Sequence, residues 1–491
     1  MEKVSSHSCF VRIKNHLSSD DKVLLIDEDG SYRQKEAFAI YCGIMNQIAK
    51  YVKRGTTCLL APFSKKETIL IIAAIISLGG IVMVGDPTET RESFIDIIKD
   101  KITIDVFVTF IDNKPYFEID NNLIEIKLKQ EVLRAKPYLL TNKKKPAFYV
   151  LTSGSSGANK IVAISDYSLL NNIARQETSD SNYEGVGYLC LPLNHIFGLG
   201  TQLQYFIAGH PAYISKTRNA DKALEVIEKY RCTTIPNVPT FFYMLINAQH
   251  NAPHDISSLR YGVVGGGAYS KEQFCYMEDE LGMILSSSYG MTESATGISY
   301  SAMECPRDER CEGVGKPIEG VDVVLKDDSL SICEEGEVCF KGYNLMLGYV
   351  SKDKIELPLD KDGYFHTGDI GFFDRKGNLH IIGRKKNIII RGGVNISSDL
   401  LEQKIMKIDG VKDVCVVGLT DSKYGEVPAA YVVSDKYKNT DLLKNILKNT
   451  LKKGELPTTI ILDREMPLLA NSKHNVRLIK ELLIQENKKA F

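Results

Sequence analysis

Residues Tyr149 to Lys160 read Tyr-Val-Leu-Thr-Ser-Gly-Ser-Ser-Gly-Ala-Asn-Lys, a hydroxyl-rich, glycine-rich turn that ends in a cation. Ala147 to Leu151 before it is apolar and β-prone, and Ile161 to Ile164 after it is again β-branched, so the spacing predicts a loop between two strands. Gly154 and Gly157 give the backbone freedom to turn its N–H groups toward phosphate oxygens. Thr152, Ser153, Ser155 and Ser156 add hydroxyl donors, and Lys160 supplies the positive charge. This chemistry suits a polyphosphate such as that of ATP. A Walker A loop requires G-x-x-x-x-G-K-[ST] leading into a helix. Here both the Gly-to-Lys spacing and the strand that follows are wrong for it, so the P-loop ATPase reading fails.

Outward from this loop, 491 residues with 44% hydrophobic and 25% charged side chains suffice for more than one domain with a full core. A net charge of -1 gives no reason to expect nucleic acid as a partner. Eleven cysteines scattered from Cys9 to Cys415 without a C-x-x-C pair argue against zinc and against a disulfide framework, and point to a reducing cytoplasm. Met1 to Phe10 lacks the apolar core of a signal peptide. Ile69 to Gly85 is uncharged and apolar, but Gly79-Gly80 splits it and Asp86-Pro87 ends it. It reads as a buried helix turning into a buried strand, not as a membrane span.

Short β-rich segments, Thr57 to Ala61, Ile81 to Val84 and Val106 to Thr109, alternate with helical stretches such as Lys35 to Lys53, which is an α/β pattern. Tyr188 to Leu191, Ala212 to Ile214, Thr233 to Ile235 and Tyr261 to Val264 continue it and imply more than one sheet. Near Gly383 the character changes, and from Arg384 onward the chain carries 20 Lys and Arg against 13 Asp and Glu. A small basic C-terminal domain is expected from there.

Five further segments accompany the loop: Leu191-Pro-Leu-Asn-His-Ile-Phe-Gly198, Ser288-Tyr-Gly-Met-Thr-Glu293, Tyr364-Phe-His-Thr-Gly-Asp369, Gly383-Arg-Lys-Lys-Asn-Ile-Ile-Ile-Arg-Gly-Gly393 and Pro467-Leu-Leu-Ala-Asn-Ser-Lys473. In this order, from about Lys22 to Arg477, the chain resembles the adenylate-forming superfamily of acyl- and aryl-CoA synthetases, peptide-synthetase adenylation domains and firefly luciferase. The resemblance implies a large N-terminal α/β domain over residues 1–386, with two sheets packed with helices and a small β subdomain. It implies a small mobile C-terminal α+β domain over 387–491, with a hinge at Asn387, where the family usually has Asp. It also implies that a carboxylate attacks the α-phosphate of ATP, pyrophosphate leaves, and the acyl-adenylate passes to a thiol.

By resemblance, Glu293 beside Thr292 matches the Mg²⁺ ligand, a hard oxygen donor for a hard cation. Tyr289, followed by Gly290, matches the aromatic packed on adenine, with Gly266, Gly267 and Ala268 on the opposite side. Asp369 matches the carboxylate that accepts the ribose hydroxyls, and Arg384 its basic partner. Lys473 matches the catalytic lysine carried by the small domain, although Leu469 and Ser472 replace the usual Thr and Gly. Gly392-Gly393 matches the pantetheine path, where absent side chains leave room for a narrow arm, and the alternative reading is a simple hairpin turn. Asn159 and Ile161 stand where Pro and Gly usually flank the loop lysine, so a looser loop with a weaker ATP step is expected.

Asn194, His195, Phe197 and Gly265 match the acid pocket. Amino-acid-activating members usually carry Asp where this chain has His195, and an α-ammonium buried there without a counter-charge would be costly. The expected substrate is therefore an aryl or medium acyl acid and the expected acceptor CoA. The alternatives are the phosphopantetheine arm of a carrier protein and, in another class, a binding protein that keeps the fold without catalysis.

Overall fold

The computed structural model describes residues 5–16, 21–153, 159–178, 185–352, 354–392, 394–467 and 474–489. By contact the chain divides into two compact units. The first comprises residues 1–267, 271–323 and 340–365, and the second 268–270, 324–339 and 366–491.

The first unit holds two nine-stranded sheets. One has the order Lys316–Pro317, Ser299–Tyr300, Ile284–Tyr289, Tyr261–Gly265, Cys232–Asn237, Val186–Leu189, Ala212–Ile214, Val23–Asp27, Gly30–Arg33, and its six inner strands are parallel. The other has the order Lys354–Glu356, Gly348–Ser351, Asn159–Ile164, Phe148–Ser153, Ile81–Val84, Thr57–Leu60, Val106–Ile111, Lys114–Ile119, Asn122–Glu125. Helix Lys66–Ser77 is buried along its whole length and apolar on all sides from Ile69 to Ile76, and strand Ile81–Val84 follows it, as the Ile69–Gly85 run predicts. The expected helix over Lys35 to Lys53 instead spans Gln34–Ile48. It stops there because the Tyr51 and Val52 amides both turn back to the Ile48 carbonyl at 2.8 Å, while the Lys53 amine caps the Ala49 carbonyl.

The second unit holds most of a sheet ordered Val321–Lys326, Glu335–Gly342, Phe365–Phe373, Leu379–Arg384, and a five-stranded sheet built around the hairpin Asp413–Asp421 and Gly425–Val433. Alternation along this hairpin divides its side chains between two cores. Val414, Val416, Ala430 and Val432 meet Leu401, Ile405, Leu443 and Leu447, whereas Cys415, Val417, Ala429 and Tyr431 meet Ile479 and Leu483. Among the described residues, no helix is long and apolar enough to cross a membrane.

Candidate functional site

The strands Phe148–Ser153 and Asn159–Ile164 flank the Ser/Gly loop and pair antiparallel, with Thr152 opposite Lys160 and Val150 opposite Val162. Gly154, Ser155, Ser156 and Gly157 lie outside the described residues. Strand Gly348–Ser351 adds to the other side of Asn159–Ile164 with Tyr349 opposite Val162. Because residues alternate between faces, Thr152, Lys160 and Tyr349 share one face of the sheet, and Lys160 and Tyr349 are diagonal neighbours on it. The Lys160 Nζ lies 4.4 Å from the centre of the Tyr349 ring. The Tyr349 hydroxyl donates to Glu293 Oε1 at 2.8 Å. Burial, followed by the Glu293 charge, pushes the phenol well above its ordinary pKa, so it keeps its proton and remains a donor. Two residues singled out by sequence thus meet at a third that has no motif of its own.

Ile161 points to the opposite face, where it is fully buried with Leu59, Met83 and Val350. Its departure from the family pattern therefore fills a core on the side of the sheet away from Lys160. The Asn159 carbonyl accepts the Lys101 ammonium, which ties the strand's first residue to the chain after helix Arg91–Ile98.

Glu293 is buried inside a short 3-10 turn, Thr292–Ser294, that follows strand Ile284–Tyr289. The Met346 amide donates to its carbonyl at 2.8 Å. Gly290 is obligatory, since a Cβ there would stand 1.7 Å from the Thr296 carbonyl oxygen. Downstream the backbone is strained, with Ala295 at φ 48° and Thr296 at φ 104°. Two buried asparagines hold this bend. Asn172 Oδ1 accepts from the Thr296 hydroxyl at 2.5 Å and the Gly297 amide at 3.2 Å, and Asn344 Nδ2 donates to the Gly297 carbonyl at 2.8 Å. The sequence reading missed both, because each acts on a turn far along the chain.

Strands Tyr261–Gly265 and Ile284–Tyr289 run parallel with Gly265 beside Ser288, which places Gly266 beside Tyr289. Gly266 has φ 71°, a left-handed value, and the Phe197 ring comes within 3.9 Å of where its Cβ would stand. Gly265, Gly266, Tyr289 and Phe197 are therefore neighbours, and Gly266, Gly267 and Ala268 are exposed. His195 is exposed at the N-terminus of helix Ile196–Ala208. Asn194 Nδ2 donates to Asp86 Oδ2 at 3.4 Å, and among the described residues its buried Oδ1 has no hydrogen-bond partner.

The remaining candidates belong to the second unit. Asp369 is buried, and its Oδ1 pairs with Arg384 Nε at 2.7 Å across the Phe365–Phe373 and Leu379–Arg384 strands, where the two residues are register partners. Glu337 braces this turn: Oε1 accepts the Gly368 amide at 3.0 Å, and Oε2 meets Lys385 and His366, each at 3.1 Å. Asn387 closes the 3-10 turn Lys385–Asn387 and donates to Asp399 Oδ1 at 3.4 Å, while Asp399 Oδ2 accepts the Arg384 amide at 3.0 Å. Gly392 lies in the turn of the hairpin Ile388–Arg391 and Val394–Ser397 and donates to the Tyr424 carbonyl at 2.7 Å. Gly393 and Lys473, with Leu469 and Ser472, lie outside the described residues. Just beyond Lys473, His474 pairs with Asp413 at 2.9 Å and the Asn475 amide donates to the Pro467 carbonyl at 2.8 Å.

Residues 21–350 match the AMP-binding enzyme family and residues 400–488 the AMP-binding enzyme C-terminal domain. The chain is 30% identical over 299 residues to the 2-succinylbenzoate–CoA ligase of Listeria innocua, a match that covers 60% of this chain and 61% of that protein. It is 28% identical over 349 residues to the medium-chain fatty-acid–CoA ligase of Escherichia coli, covering 68% and 61%. The chain thus spans about three fifths of the length of these relatives. The structure of o-succinylbenzoate CoA synthetase from Bacillus subtilis, in complex with its acyl-adenylate intermediate, superposes with a TM-score of 0.81 at 22% identity over 97% of this chain and 98% of that one, and so shares the fold. With a family match over the larger part of its length and the second domain's match following in order, the chain belongs to the AMP-binding enzyme family.

Proposed function

We propose that this chain is an ATP-dependent acid–thiol ligase that activates an aryl or medium acyl carboxylic acid as its acyl-adenylate and transfers the acyl group to CoA. The observation that carries the reading is the convergence of Lys160 and Glu293 on Tyr349, a cation over its ring and a buried carboxylate on its hydroxyl. This donor set suits a metal-bound triphosphate: ammonium and hydroxyl groups for phosphate oxygens, and a carboxylate for a hard cation. Glu293 would hold Mg²⁺, which when bound neutralises phosphate charge. The relatives, a 2-succinylbenzoate–CoA ligase and a medium-chain fatty-acid–CoA ligase, support the acid class.

In the first step a carboxylate oxygen attacks the α-phosphorus and the bond to pyrophosphate breaks. In the second, a thiol sulfur attacks the acyl carbon and AMP leaves. Lys160, Thr152 and the loop hydroxyls orient the phosphates, with Thr292 beside the metal ligand. Tyr289 and Gly290 to one side, and Gly266, Gly267 and Ala268 to the other, frame the adenine. Asp369, oriented by Arg384, receives the ribose hydroxyls. Gly265, Asn194, His195 and Phe197 contact the acid. Lys473, supplied by the C-terminal domain 387–491, neutralises charge building on the α-phosphate. Rotation about Asn387 then exchanges Lys473 for the Gly392-Gly393 side, where the thiol enters. Cytoplasmic CoA fits eleven scattered cysteines without a C-x-x-C pair.

The test is acid-dependent ATP–pyrophosphate exchange with a panel of aryl and medium-chain acids, followed by CoA or a phosphopantetheinylated carrier protein as acceptor. Exchange with one acid class and transfer to CoA are expected. Transfer to the carrier protein alone would replace the acceptor, and ATP binding with no exchange for any acid would make the chain a binding protein.

A further inference from the structure

We propose that Tyr349 is a positioning residue that couples the metal end of the site to its phosphate end, by fixing Glu293 through its hydroxyl and Lys160 through its ring. The inference rests on the reading of Lys160 and Glu293 given above and adds a residue outside every motif that led to it.

The geometry comes from strand register. Tyr349 is placed by its pairing with Val162, which sets its ring diagonally over Lys160 on the shared face. Its other flank reaches the 3-10 turn that carries Glu293, and the segment just before Tyr349 reinforces this contact, because the Met346 amide binds the Glu293 carbonyl at 2.8 Å. The two ends of the tyrosine do different work. The hydroxyl occupies one lone pair of Glu293 Oε1 at 2.8 Å, which fixes the rotation of a carboxylate that would otherwise turn about its last bond. The ring face attracts the ammonium 4.4 Å away and limits where the long lysine side chain can reach.

A single hydroxyl deletion should therefore separate the two ends. Calorimetric titration with ATP, in the presence and absence of Mg²⁺, is the direct readout, performed on wild type, Tyr349→Phe and Tyr349→Leu. In Tyr349→Phe the Mg²⁺-dependent gain in ATP affinity should fall by about three- to tenfold, while affinity without metal stays at the wild-type value. In Tyr349→Leu the metal-free affinity should fall as well, by a few-fold, because Lys160 loses its platform. Should the leucine variant fail to fold, the phenylalanine variant alone decides. Wild-type metal dependence in Tyr349→Phe overturns the proposal. Acid-dependent exchange is followed in parallel to keep the two readings apart: a wild type that binds Mg·ATP but exchanges with no acid removes the ligase reading while leaving the Tyr349 comparison intact. A wild type that binds no ATP removes both.

Discussion

Asn172 Oδ1 accepts the Thr296 hydroxyl at 2.5 Å and the Gly297 amide at 3.2 Å, holding a β-branched residue at φ 104° three residues after Glu293. A threonine pays strain at that angle and stays there only because its surroundings over-determine it. The turn that presents Glu293 therefore depends on a helix side chain from far upstream.

Asn172→Ala should release this bend. A buried hydrogen-bonding residue of this kind contributes about 1–3 kcal/mol, so the urea midpoint should fall accordingly. Acid-dependent pyrophosphate exchange should fall by more than the unfolded fraction explains, because Glu293 is displaced. An unchanged midpoint together with full exchange would mean that the bend is held by other contacts.

Asn387→Pro should suppress thioester formation by about tenfold or more and leave pyrophosphate exchange within about threefold of wild type, since proline fixes the φ that a hinge must change. Asn387→Asp is a second probe, because it sets a carboxylate against Asp399 Oδ1, which now accepts the Asn387 amide at 3.4 Å. Repulsion there should loosen the seat of helix Ser398–Met406 on strand Leu379–Arg384 and shift the balance of the two half-reactions. Equal loss of both half-reactions in the proline variant would locate the hinge elsewhere.

The C-terminal unit should lose stability as pH rises. Burial pushes the Glu402 carboxyl up to about 7, against an opposing hydrogen bond from the Val416 amide, and the neighbouring Asp399 and Asp413 charges push the same way while His474 opposes. His474 is itself raised, first by its hydrogen bond to Asp413. Both groups have folded values above their unfolded ones, so their contributions are complete below the unfolded values and are lost as pH rises through the folded ones. For Glu402 the window runs from about pH 4.5 to 7, with a swing of roughly 3 kcal/mol. Amide-exchange protection of strand Asp413–Asp421 should decline across that window, and Glu402→Gln should flatten the decline. An identical pH profile in the variant would remove Glu402 as its source.

The sequence shows those parts of the fold whose cause is local. Ile81–Val84 and Ala212–Ile214 are strands with the expected limits, and the Ser/Gly loop does join two strands, because β-branched runs bounded by turn residues carry their own signal. The site is legible only where a motif is contiguous, as in Ser288 to Glu293. Tyr349, Asn172 and Asp399 act through the register or docking of segments distant in the chain, and nothing in their immediate neighbours announces it. The end of the helix at Ile48 escaped for a related reason, since its stop is a set of capping hydrogen bonds and not a glycine or proline.

The central claim is that one chain makes an acyl-adenylate and then a thioester. Its most direct test is the mass-spectrometric product analysis of wild type incubated with ATP, Mg²⁺, CoA and each acid of an aryl and medium-chain panel. The account predicts acyl-CoA, AMP and pyrophosphate in equal amounts for one class of acid, with acyl-AMP accumulating when CoA is withheld. ATP left intact with every acid, or hydrolysed to ADP, would contradict it.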